Sequence, residues 1–323
     1  MNKITFPIKM VLGILVILLF IQAKWVQAAF QAGIAVRDVT PQKMLAVSGG
    51  IGPSEPVTKI IGKLTVRALV LADDDTKVAI CSTDFLGFPG VLCDKVRKQV
   101  KGILPDNILI GATHQHSGPD CYGFRNEKGE TAADLEYLDD VCRKLAEAIN
   151  EANQKLQAVG VKIATENARG KIAYNAYAER LYDPRCHVMQ FVGSDGKAVA
   201  TLINYACHPE VIGADQGIMS PDFVGPLYDR ISERGGGVGI YMNGALGGMV
   251  TADCRDARGR DVQRWDECVR IGNLLADESL RIVMGAAIQK DPDLYCDSTT
   301  IKFPIDNPLM RMILKTSPLA TAR

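Results

Sequence analysis

The stretch GKLTVRALVLADDDTKVAICSTDFLGFPG, residues 62–90, decides how the chain is read. Two apolar runs rich in valine, leucine and isoleucine flank the triplet Asp73, Asp74 and Asp75. A run, a polar break and a second run predict a strand, a turn and a strand, hence an antiparallel hairpin. Immediately downstream, VLCDKVRKQVKG (91–102) spaces its apolar residues at helical intervals and stops at Gly102. ILIGATHQHSGPD (108–120) then opens as another apolar strand. Hairpins join antiparallel strands and helical crossovers join parallel ones, so the sheet is expected to be mixed.

Reading outward, AGIAVRDVTPQ (32–42) is a short strand entering a turn at Asp38, Val39, Thr40 and Pro41. The clearest helix is ADLEYLDDVCRKLAEAINEANQKL (133–156), with Leu135, Leu138, Val141, Cys142, Leu145, Ala148 and Ile149 on one face. Strands follow at 160–169, 186–193 and 198–208, then a helix at 223–237 and a strand at 238–248 entering a glycine-rich loop. A long helix covers 261–287, and residues 299–323 read as a strand followed by a helical segment. There is no internal repeat, proline-rich linker or low-complexity tract. The expected fold class is therefore α/β: a layered single domain with a mixed β-sheet flanked by helices.

The 323 residues are 47% hydrophobic and 23% charged, a globular composition, and the formal net charge of zero gives no basic field for nucleic acid. The first 29 residues differ from the rest. Lys3 and Lys9 precede an apolar core from Met10 to Ile21, and VQAA offers a cleavage point near Ala28 or Ala29. This is the layout of a secretory signal peptide. The alternative is an uncleaved anchor, but the interval from Lys9 to Lys24 is shorter than the ~20 apolar residues a spanning helix needs. A secreted or periplasmic mature protein is expected, slightly acidic once those lysines are gone. Nine cysteines scattered from Cys81 to Cys296 show no short repeating spacing and read as buried thiols.

Half of the four histidines, His114 and His116, sit one residue apart where the strand of 108–120 meets its loop. Residues i and i+2 of a strand share a face, so both imidazoles would project together and could grip one metal. His208 ends a second apolar strand, LINYACHPEVIG, and distant strand ends are where α/β proteins assemble sites. His187 lies early in its strand and reads as a hydrogen-bonded core residue. Asp84 and Asp222 stand at loop entries, where an aspartate either caps a turn or orients an imidazole from behind.

Five segments, GIAVRDVTP (33–41), VRALVLADDDTKVAICSTDFLG (66–87), THQHSGPD (113–120), NYACHPEVIG (204–213) and MSPDFVG (219–225), carry a family resemblance. The chain resembles the neutral/alkaline (non-lysosomal) ceramidase family, specifically the N-terminal catalytic domain of its bacterial relatives. The resemblance covers most of the mature chain, from about Gly33 to the C-terminal strand, and residues 30–323 would form that domain. It implies a zinc-dependent hydrolase of a linear amide. His114 and His208 would be Zn2+ ligands, and His116 would stand beside the metal to orient or stabilise the attacked carbonyl. The implied substrate is an N-acyl sphingoid base or related small amphipathic N-acyl compound, which leaves peripheral membrane contact open.

There are departures. The family's Gly-Asp-x-Ser-Pro aligns with NGALGGMVTAD (243–253), placing Gly248 at the aspartate and Val250 at the serine, and a one-residue slip offers Thr251 as the hydroxyl. The family arginine has no clean counterpart, Arg180 being the nearest. The glutamate and tyrosine that complete the family's zinc shell come from a later segment, beyond anything matched before Arg323, so the domain is expected to be incomplete at its C-terminus. The competing expectation is an exported binding or scaffold protein that keeps this fold without catalysis.

Overall fold

The expected hairpin forms. β2 (Thr65–Asp73) and β3 (Thr76–Thr83) pair antiparallel across a turn in which Asp74 takes a positive φ of 47°. The structure, a computed structural model, describes residues 30–50, 52–125 and 128–321; the expected signal peptide, residues 1–29, lies outside them. β1 (Gln31–Asp38) lines the other edge of β2, also antiparallel. From β3 the chain crosses through α1 (Gly90–Arg97) into β4 (Ile108–Ala112), which lies parallel to β3. α2 (Leu135–Gln154) then packs back across β1 and β2.

The second half repeats this plan. β5 (Gln157–Asn167), β6 (Arg185–Gly193) and β7 (Ala198–Tyr205) are successively antiparallel; α3 (Val224–Glu233) crosses to β8 (Val238–Asn243), parallel to β7; α4 (Trp265–Met284) packs back over β5 and β6. Contact between β1 and β5 joins the halves into one eight-stranded sheet, ordered β8-β7-β6-β5-β1-β2-β3-β4. The expected mixed, layered α/β domain is found. The sequence shows no internal repeat, yet the topology is duplicated, because a strand–helix plan constrains hydrophobic spacing and leaves residue identity free.

Three cores show how the sheet is disposed. Val66, Ala68 and Val70 on one face of β2 pack with Leu138, Val141, Leu145 and Ile149 of α2. Val188 of β6 and Ile203 of β7 pack with Leu227 of α3 and Leu275 of α4. Between these lies a third cluster drawn from strands of both halves, including Ala32, Leu69, Leu71, Val161, Phe191, Ala200 and Ile240. The two half-sheets therefore face each other with helices outside, and strand alternation sends side chains to the two cores in turn. Two polar ties, the first part-buried and the second buried, close the far side: Arg67 Nη1 donates to the Gly239 carbonyl at 3.0 Å, and Ser82 Oγ to the Tyr241 carbonyl at 2.7 Å.

α2 starts where an N-cap is available: the Asp134 carboxylate accepts the Tyr137 amide. Six of its seven expected apolar positions are buried, whereas Leu135, in the first turn, is exposed. The expected strand near 299 does not form. Ile301 and Phe303 are exposed in a segment without regular structure, since a strand needs a partner's backbone groups and none is offered there. The helix after it does form as α5 (Pro308–Thr316), with Asn307 as its N-cap. All nine cysteines are free thiols, eight of them buried. No helix among the described residues is long and apolar enough to cross a membrane.

Candidate metal centre

β4 stops at Ala112, so neither His114 nor His116 is part of a strand. Strand alternation, the reason expected for their common orientation, does not operate here. The chain instead turns sharply, with His114 at φ 62°, a left-handed conformation costing a residue with a Cβ roughly 1–2 kcal/mol. Main-chain bonds hold that conformation: the Thr113 amide donates to the Thr83 carbonyl, the His114 amide to Phe85, and the His116 amide to Pro209. The last of these ties the His114–His116 loop to the segment carrying His208. Gly49 makes the approach possible, because a Cβ there would lie 2.2 Å from the His116 carbonyl oxygen.

His208 lies three residues past β7 and is buried. Its amide donates to the Val250 carbonyl, and Thr251 forms a parallel bridge with it. Tyr241, fully buried on β8, donates its hydroxyl hydrogen towards the Tyr205 carbonyl at 2.9 Å and also lies 2.9 Å from Asn243 Oδ1, bracing the end of β7.

The three rings converge. Centroids lie 5.1 Å apart for His114 and His116, 4.8 Å for His114 and His208, and 5.3 Å for His116 and His208, and one nitrogen of each falls within a 4.8 Å group. Each Nδ1 faces a backbone carbonyl: His114 that of Leu86 at 2.6 Å, His116 that of Gly49 at 2.9 Å, His208 that of Val250 at 2.8 Å. A carbonyl only accepts, so each Nδ1 carries the hydrogen and each Nε2 keeps its lone pair. His116 Nε2 is buried without a hydrogen-bond partner. Burial, the largest influence, lowers the pKa of both His114 and His116; the neighbouring imidazoles push the same way and Glu210 opposes. Three neutral imidazoles with inward lone pairs are a donor set for a metal ion, so the cluster can bind one.

The other expected residues are placed differently. Asp84 and Asp222 are buried, and their carboxylates contact no histidine. Asp84 Oδ2 accepts from the Thr65 amide at 2.7 Å and its hydroxyl at 2.8 Å; Asp222 accepts from the amides of Ile212 and Phe223. Any orienting influence they have passes through the main chain: the Asp84 carbonyl receives Gln115 Nε2, whose partner oxygen Oε1 accepts from the Ser117 amide. Burial raises both acids to about 6. Val250, at the family's serine position, contributes its carbonyl to His208, and Thr251 sits beside it in the short strand Val250–Ala252. His187 is hydrogen-bonded to Thr165 at 3.0 Å on the half-exposed sheet surface, outside the core expected for it. Arg180 is exposed. Sequence reading missed Glu210, whose carboxylate stands 3.5 Å from His116 Nδ1; its position two residues after His208 was the available signal.

Compared with solved structures, the chain superposes on neutral ceramidase from Pseudomonas aeruginosa with a TM-score of 0.68 at 17% identity, covering 80% of this chain and 45% of that one. The fold is that of part of neutral ceramidase. A second structure, a ceramidase complexed with C2, gives a TM-score of 0.67 at 16% identity, covering 80% of this chain and 44% of that one. The chain thus spans less than half the length of the ceramidases it matches. No family model and no curated protein matches the sequence. The resemblance read from five short motifs is met by a ceramidase-like fold, with His114, His116 and His208 brought together at one end of it.

Proposed function

We propose that the protein is an exported, zinc-dependent amide hydrolase that cleaves an N-acyl sphingoid base or a related N-acyl compound. The observation that carries this reading is the convergence of three imidazoles whose Nδ1 hydrogens are all engaged by carbonyls. Zinc, when bound, supplies Lewis acidity for the amide oxygen and a nucleophile available near neutral pH. His114 and His208 hold the ion. His116, its Nδ1 held by the Gly49 carbonyl with Glu210 beside it, takes up a proton on Nε2 and in that form donates to the carbonyl, orienting it and stabilising charge that develops on it. Thr251, adjacent to His208, offers a hydroxyl to the substrate. The ceramidase-like fold and a related structure described as complexed with C2 support an acylated amine as substrate.

A second reading is favoured by Val250, which places no hydroxyl where ceramidases carry serine: a binding protein that keeps the fold. Zinc content and turnover of a fluorogenic N-acyl amide, before and after His114→Ala, separate the two. Zinc at one per chain with turnover abolished by the substitution supports the enzyme; metal-free protein without His114-dependent turnover supports the binding protein. Export rests on residues 1–29 and predicts a mature N-terminus at Ala29 or Phe30, read by intact mass.

A further inference from the structure

A cavity of about 320 Å³ opens between the start of β2 and the first turn of α3, and it shares no lining residue with the histidine cluster. Arg67 lines it. The guanidinium lies 3.5 Å over the Tyr228 ring, Nε donates to Thr65 Oγ1 and Nη1 to the Gly239 carbonyl, each at 3.0 Å. Nη2 makes no hydrogen bond to a described residue and is not sealed from the cavity. No carboxylate of the described residues comes within 4.0 Å of the group: Asp84 is separated from it by the Thr65 hydroxyl, and Asp229 lines the cavity without pairing with it. Arg67 is partly buried, and Asp84 and Asp229 act on it from a distance rather than by direct contact, so Nη2 is left without a hydrogen-bonding anion.

Apart from Asp229, the cavity lining suits an anion. Lys63 brings a second cation to the mouth, its nearest carboxylate being Asp38 at 4.0 Å. α3 begins at Val224 with no side-chain cap on its first-turn amides, the Asp222 carboxylate taking only the Phe223 amide before it, and Gly225 of that turn lines the cavity. Trp265, Pro221 and Pro226 supply apolar lining. Asp84, behind the Thr65 hydroxyl, and Asp229 already offset much of the charge of Arg67 and Lys63, so an incoming anion is limited to a single charge, and the apolar lining needs a body to cover it.

We propose that this cavity binds a small organic carboxylate, its oxygens on Arg67 Nη2 and the start of α3 and its apolar part against Trp265. A phosphate dianion fits worse, since the second charge meets Asp229 and the aromatic wall stays uncovered. The site stands independently of metal binding and hydrolysis, because it uses none of their residues.

Benzoate is the probe, with neutral benzamide and inorganic phosphate as controls, read by tryptophan fluorescence and thermal shift of the full-length protein. Benzoate should bind saturably, benzamide and phosphate at least tenfold more weakly, and Arg67→Met should lower benzoate affinity by about tenfold or more. Should Arg67→Met fail to fold, Lys63→Gln at the exposed rim tests the same site, with an expected loss of about threefold. Absence of saturable benzoate binding, equal binding of benzamide, or unchanged affinity in both variants overturns the proposal.

Discussion

The two halves of the sheet follow one plan and divide the work of the metal centre in opposite ways. In the first half, the loop after β4 carries His114 and His116, and the loop after its parallel neighbour β3 supplies the Leu86 carbonyl that pins His114. In the second half, the segment after β7 carries His208, and the loop after its neighbour β8 supplies the Val250 carbonyl. Each parallel strand pair thus delivers an imidazole from one strand and its hydrogen-bond acceptor from the other. Parallel strands point their carboxyl ends the same way, so their loops meet without extra architecture. The halves differ in strain: His114 needs a left-handed backbone and a glycine-lined approach at Gly49, and His208 has a positive φ nowhere near it until Gly213.

The sharpest way to break this comparison is to remove one half's donor. His208→Ala should weaken zinc binding by more than about 100-fold in chelator competition, and His114→Ala comparably, since ligand loss exceeds the 10–100-fold typical of residues behind a ligand. If the affinities differ widely, the halves do not contribute equally.

Each half also buries one aspartate raised to about 6, Asp84 and Asp222. The folded chain keeps these protons up to about pH 6, whereas the unfolded chain releases them near the ordinary carboxylate value of about 4. Their contribution to stability is therefore greatest below about pH 4, declines as pH rises to about 6, and is flat above, by at most about 3 kcal/mol per group. Urea unfolding across that window should show a shallower decline in Asp222→Asn than in the unaltered protein.

Gly49→Ala tests the strained half alone. Its Cβ would press on the His116 backbone, and a loss of about 2 kcal/mol in stability together with weakened metal binding is expected, measured by thermal unfolding and zinc titration. The smallest effect belongs to Val250→Ala. The carbonyl that holds His208 is main chain and remains, so zinc affinity should stay within about twofold while stability falls by about 1–2 kcal/mol from the lost packing.

Much of the fold was legible from side-chain periodicity. The hairpin of 62–90, the α2 face from Leu138 to Ile149 and the crossovers to β4 and β8 all follow from where apolar residues recur. Residues 299–305 were misread because an apolar alternation states a preference and a strand requires a neighbour. His114, His116 and His208 stood out by residue type and by their place at the ends of apolar runs. Glu210 did not, since its nearness to His208 in the chain is a weak signal until His116 is folded against it.

The sequence by itself determined the α/β layering, the strand-and-helix order and the histidines available for chemistry, because hydrophobic spacing acts locally along the chain. Only the tertiary structure decided that the topology is duplicated, that His114 turns left-handed, and that three main-chain carbonyls choose the tautomer of three imidazoles. Carbonyl oxygens belong to every residue alike, so which of them meets a given ring is set by packing between distant segments and leaves no trace in residue identity.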